Sequence, residues 1–189
     1  NIVKEHMDLY VSNQIRLSFQ KKWTEKEFEN PKAKTKIATL FSGIGAIEYA
    51  FRRCKLNTEI VFASDNDKFV KESYFANYDM DEERWYNDVR DIKAKKYKGQ
   101  IDLLVGGSPS QSFSMVGKRK GLKDTRGTLF YEFARIVKES QPKVFIFENV
   151  KGLINHDKGN TFETIKATFD ELGYKYFYQV MNAKNYGMA

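Results

Sequence analysis

The sequence predicts an α/β domain in which a mostly parallel sheet carries helices on both faces. Three observations lead there. Short runs that are apolar nearly throughout recur along the chain, as strands buried on two faces require. Stretches with apolar residues three and four apart separate these runs. The two kinds of segment alternate, which builds strand–helix–strand units rather than hairpins.

Taken in order, residues 1–35 stand apart. They are charged and lack glycine, and no single period holds for long. Met7, Tyr10 and Val11 fit a short helix, whereas Ile15, Leu17 and Phe19 alternate like a strand. The stretch from Lys21 to Lys36, with Pro31, reads as an exposed arm or linker, so 1–35 is expected to be an N-terminal charged extension and 36–189 the main domain. The first strand runs from Ile37 to Phe41. A helix follows, with Ile47, Ala50, Phe51 and Cys54 on its apolar stripe, which places Cys54 in the core. Ile60 to Ala63 is a second strand, with a helix over about 68–77 behind it. Ile101–Val105 and Val144–Phe147 are further strands. Between them a helix is marked by Leu129, Phe133, Ile136 and Val137. Another is marked by Phe162, Ile165, Phe169 and Leu172, and Tyr176 to Met181 reads as one more strand.

Composition limits the function. The 189 residues suit one such domain with an appendage. With 41% hydrophobic residues the chain can build a core, so wholesale disorder is excluded. One cysteine excludes an internal disulfide and a zinc site built on several thiolates; no metal is expected, and His6 and His156 are isolated. No run reaches membrane-spanning length and no signal peptide is visible, so an intracellular protein without a membrane partner is expected. The net charge of +7 fits a polyanionic partner.

Ligands of open α/β sheets bind beyond the carboxyl ends of the strands. The unusual residues fall there. Phe41-Ser42-Gly43-Ile44-Gly45 follows the first strand, where glycines admit a ligand to the backbone and amides suit a carboxylate or phosphate. Glu48 stands where a dinucleotide fingerprint would need glycine, which disfavours NAD. Asp65 lies about twenty residues on, where an acid accepts both hydroxyls of a ribose; helix capping within Ser64-Asp65-Asn66-Asp67 is the plainer alternative. Asp88 could take an adenine amino group or close a surface turn. Gly106-Gly107-Ser108-Pro109-Ser110-Gln111-Ser112-Phe113-Ser114 is a polar, proline-stiffened loop after a strand. It continues into Gly117-Lys118-Arg119-Lys120-Gly121, whose cations suit a segment closing on phosphates or a solvated loop. Glu148, directly after a strand, is expected to be partly desolvated, with a raised pKa and a proton to donate.

Together these segments resemble the DNA (cytosine-5)-methyltransferase family in its bacterial restriction–modification form, from about Lys36 to Gly187 and with the motifs in order. The resemblance implies a Rossmann-like, S-adenosyl-L-methionine-dependent methyltransferase fold and a cytoplasmic bacterial enzyme acting on duplex DNA. It assigns Phe41, Gly43, Ile44 and Gly45 to the first cofactor motif, Asp65 and Asn66 to ribose and adenine, and Asp88 and Val89 to adenine. Pro109 and Leu129 would also lie against the cofactor. The nucleophile motif is Gly107 to Gln111. Gln111, Ser112, Ser114, Lys118, Arg119, Lys120, Asn149 and Val150 would face the DNA, and Glu148 the target cytosine. In this family a thiolate adds at C6 while the glutamate engages N3; C5 then takes the methyl group and loses its proton as the thiol departs. The base leaves the duplex first.

Two departures matter. Ser110 stands where the family has its cysteine. A free thiol has a pKa of about 8.5, whereas a hydroxyl is far less acidic and needs a base that the motif does not contain. Little or no turnover is therefore expected, in an inactivated form or a natural pseudoenzyme. Asn182-Ala183-Lys184-Asn185-Tyr186-Gly187 resembles the start of the family's eighth motif, but the sequence stops at Ala189. Target recognition is thus expected from a remaining C-terminal part or a second subunit. An exocyclic amino-methyltransferase is a rival on Ser108-Pro109, though Ser110-Gln111 spoils that match. An RNA cytosine methyltransferase would share the chemistry, and a non-catalytic cofactor- or DNA-binding subunit would explain Ser110.

Overall fold

In the computed structural model, residues 30, 32–109 and 128–187 are described; the expectations for 1–29 and for Ser110, Gln111, Ser112, Ser114, Lys118, Arg119 and Lys120 lie outside them. The chain divides into two compact units, 1–33 and 34–189, and the second carries the fold.

Five parallel strands lie in the order β3-β2-β1-β4-β5. They are β1 (Thr35–Leu40), β2 (Thr58–Ser64), β3 (Trp85–Tyr86), β4 (Leu103–Gly106) and β5 (Val144–Phe147). The helices are α1 (Ala46–Arg53), α2 (Lys68–Asn77), α3 (Leu129–Ser140) and α4 (Asn160–Glu171). The α2 start is set by Asp67, whose Oδ1 accepts from the Phe69 and Val70 amides at 2.7 and 3.1 Å, so Asp67 rather than Asp65 is the N-cap. Among the described residues no helix is long and apolar enough to cross a membrane.

Side-chain alternation along the strands feeds two cores. Phe62 joins Ala38, Leu40 and Leu104 against Phe130, Phe133 and Ile136 of α3. Phe145 and Phe147 of β5 complete that core with Phe169 of α4, in tilted and edge-to-face pairs with Phe133. The next residue of β2, Ala63, faces the other way and packs with Tyr74 of α2, Met80 and Trp85.

Three expectations are corrected. Residues 176–181 form no strand: they pair with no neighbour among the described residues, and Phe177 is 96% exposed. An apolar alternation needs a ladder beside it to become a strand. The edge strand β5 is covered on one face only, with Val144 and Ile146 55% and 48% exposed on the other. Cys54 is exposed, not core. It caps the end of α1, and the side of that helix turned inward carries Glu48, its one fully buried residue. The two-residue β3 left no periodic signal to read.

Candidate functional site

The strand order reverses between β1 and β4, and at such a switch point the loops leaving the two carboxyl ends part to form a crevice. The loop after β1 is held from below. Ser42 donates to the carbonyls of Thr39 and Ser64 and accepts from the Ser64 amide, at 3.1 to 3.2 Å. Phe41 takes a left-handed backbone, φ 55°, unusual for a bulky residue and a form of strain typical of ligand sites. Above the loop there is room: a Cβ placed on Gly43 would meet nothing within 4 Å. Ile44 is exposed, while Gly45 lies under the ring of Tyr78.

Asp65, after β2, joins this loop. Its Oδ2 accepts from the Gly43 amide at 3.0 Å and its Oδ1 from the Asp67 amide at 3.0 Å, which leaves the carboxylate half-buried beside the glycine loop. Asn66 is exposed. Asp88, after β3, accepts from Arg90 through both carboxylate oxygens, at 2.6 to 3.0 Å. That guanidinium holds its carboxyl below the usual range. Val89 is buried in the larger core, and its carbonyl accepts from Arg135 at 3.1 Å.

The loops after β4 and β5 are locked together. The Glu148 amide donates to the Gly106 carbonyl at 3.0 Å, and Asn149 Nδ2 donates to the Ser108 carbonyl at 2.8 Å. The fit is tight at Gly107, where a Cβ would lie 2.6 Å from the Glu148 carbonyl oxygen and 2.8 Å from its Oε2. Glycine is therefore required by close approach. Glu148 thus lies against the loop that leads through Pro109 into Ser110. It is exposed rather than desolvated as expected, because β5 is the sheet edge. Ser108 is buried and its Oγ has no partner among the described residues. Asn149 Oδ1 accepts from the Val150 amide at 3.0 Å, and Val150 is exposed. Leu129, half-buried, begins α3.

Sequence reasoning missed a polar cluster beneath the first loop. Glu48 Oε1 accepts from Thr39 Oγ1 at 2.6 Å and from the Tyr74 hydroxyl at 2.7 Å, while Thr39 and Ser42 hydroxyls lie 2.8 Å apart. Burial, with the Glu48 charge second, drives the Tyr74 phenol well above its usual range. No signal in the sequence separates this glutamate from one on a solvated face.

The profile of the C-5 cytosine-specific DNA methylase family matches residues 35–189. The chain is 50% identical over 151 residues to the orphan methyltransferase M.SPRI of Bacillus phage SPR, covering 80% of this chain and 34% of the relative. To the type II methyltransferase M.HhaI of Haemophilus parahaemolyticus it is 41% identical over 149 residues, covering 79% and 44%. The chain thus spans between a third and a half of the length of these relatives. Among solved structures, S. pombe Dnmt2 methyltransferase superposes with a TM-score of 0.55 at 18% identity, over 74% of this chain and 41% of that one. Spodoptera frugiperda DNMT2, in a triply substituted form, gives 0.55 at 26%, over 73% and 41%. The parallel sheet with its switch-point loops is accordingly a Rossmann-like methyltransferase fold, and the chain belongs to the C-5 cytosine-specific DNA methylase family.

Proposed function

We propose that these residues are the cofactor-binding catalytic region of a DNA cytosine-5 methyltransferase. S-adenosyl-L-methionine would lie at the β1/β4 switch point, and a cytosine extruded from duplex DNA between the β4 and β5 loops. The observation that carries the reading is the meeting of four strand ends: the glycine loop bonded to Asp65, and Gly106 and Ser108 bonded to Glu148 and Asn149. The residues fit the cofactor, because the space above Gly43 is open and Asp65 is fixed beside it with its carboxylate part-exposed.

Each group has a task. The glycine loop receives the methionyl end, Asp65 the ribose hydroxyls, and Asp88 with Val89 the adenine. When bound, the cofactor supplies a methyl group activated on a sulfonium sulfur. Glu148 hydrogen-bonds or protonates cytosine N3, so that C6 becomes open to attack. Ser110 occupies the attacking position, and its hydroxyl proton has no base in the motif to take it. The chain therefore binds cofactor and turns over little or not at all. Gln111, Lys118, Arg119 and Lys120 would face the DNA. Sequence recognition would come from polypeptide outside these 189 residues, as a C-terminal part or second subunit; the greater length of the relatives supports this.

The test is tritium transfer from labelled cofactor to duplex DNA by the parent chain and by Ser110→Cys, with the product base identified. C5-methylcytosine from the cysteine form alone is expected. Comparable transfer by the serine form would overturn the chemical account of Ser110, and N4-methylcytosine would overturn the family mechanism. Binding without transfer by either form would favour the second reading, a non-catalytic subunit, which Ser110 itself supports.

A further inference from the structure

Glu48 is 4% exposed and takes no part in the chemistry proposed above. Two hydroxyls, from Thr39 and Tyr74, serve its Oε1. Its Oε2 is equally buried and has no partner among the described residues, and no lysine or arginine among them forms an ion pair with it. A carboxylate withdrawn from water in this way is costly unless an opposite charge offsets it. A structural role would be met by an uncharged or apolar side chain of the same size. The position of the carboxylate gives it another use. Thr39, which donates to it, ends one residue short of the β1 carboxyl terminus and lies 2.8 Å from Ser42, the residue that introduces Gly43. The carboxyl group therefore sits directly beneath the glycine loop, shielded from solvent, where the field of a carboxylate is weakly screened.

We infer that Glu48 is a buried counter-charge that favours the positively charged methyl donor over its uncharged product at this site. The inference rests on the cofactor reading above. S-adenosylmethionine carries one more positive charge, on sulfur, than S-adenosylhomocysteine, and the two are otherwise nearly the same shape. A fixed anion under the loop attracts the first more than the second, so it aids loading of the donor and release of the product. Because its oxygens are buried, Glu48 acts through space and through the Thr39–Ser42 hydroxyls; it is a positioning and charge-setting residue, not a catalytic one.

Calorimetric titration of the 189-residue chain with S-adenosylmethionine and S-adenosylhomocysteine reads this without any methyl transfer. Glu48→Gln keeps the size and removes the charge. It should weaken the donor about tenfold and the product by no more than about twofold. Tyr74→Phe removes a hydrogen bond but keeps the charge; it should lower the melting temperature and leave the donor-to-product ratio unchanged. Where Glu48→Gln does not fold, the apolar pair Glu48→Met with Tyr74→Phe replaces it under the same criterion. A ratio that stays within about twofold of the parent in the uncharged variant, whether both affinities fall together or neither moves, overturns the inference. A parent chain that binds neither ligand overturns the cofactor reading itself and the inference with it.

Discussion

At Gly45 the backbone sits at φ 90°, and any side chain would overlap the ring of Tyr78, whose hydroxyl donates to the Gly45 carbonyl. The need for glycine was legible from the motif, but its partner 33 residues away was not. Gly45→Ala should cost at least about 2 kcal/mol in urea unfolding, from left-handed strain and overlap combined. A loss under about 0.5 kcal/mol would show that the Tyr78 ring is not packed there. Glu48 and Cys54 mark the limit of reading at this scale. Cys54 was expected on the apolar stripe of α1, but Ala50 and Cys54 are both exposed, and the side turned inward is chosen by the polar end of β1. Thr39 and Tyr74 offer hydroxyls to a carboxylate and nothing to a thiol six residues later.

Among the elements, α3 and α4 follow their apolar spacing to within a few residues, because each packs one stripe against the sheet. Residues 176–181 show why the same logic failed for a strand. Periodicity reports which side chains want burial, whereas a strand also needs a neighbour's amides and carbonyls. The opposite ends of the strands are tied by Asp102, which accepts from the Lys36 amide at 2.8 Å and pairs with Lys143 at 2.7 Å. The Lys143 ammonium first, then the Lys36 amide, hold its carboxyl below the ordinary value. A depressed folded pKa gives stability that is present above the unfolded value, near 3.9, and is lost as pH falls through the folded one. Asp102→Asn should therefore cost about 1 kcal/mol or less at pH 6, the pair being largely exposed, and the difference should close towards pH 2. Denaturant midpoints across that range check it; a difference that widens in acid would be the wrong sign.

For the molecule as a whole, the parallel sheet and its four loaded strand ends were readable because chemistry-bearing residues interrupt apolar runs at the same end of each strand, whereas the strand order was not. Coverage was not readable, since nothing local says whether Val144 and Ile146 meet a helix or water. Val144, Ile146 and Phe177 are all exposed apolar side chains in this chain. Replacing Ile146 and Phe177 together by serine should raise the concentration at which the chain aggregates while shifting its melting temperature by only about 2 °C or less. A large fall in melting temperature would mean that these side chains are buried in solution. The loops at the strand ends are expected to serve one small molecule. Amide chemical shifts of the 15N-labelled chain titrated with S-adenosylhomocysteine report this residue by residue. The amides of Gly43, Gly45, Asp65 and Gly107 should move together along one binding curve, while Gly99 and Gly173, away from the strand ends, stay still. No movement at the first four, or movement centred on the other two, would contradict it.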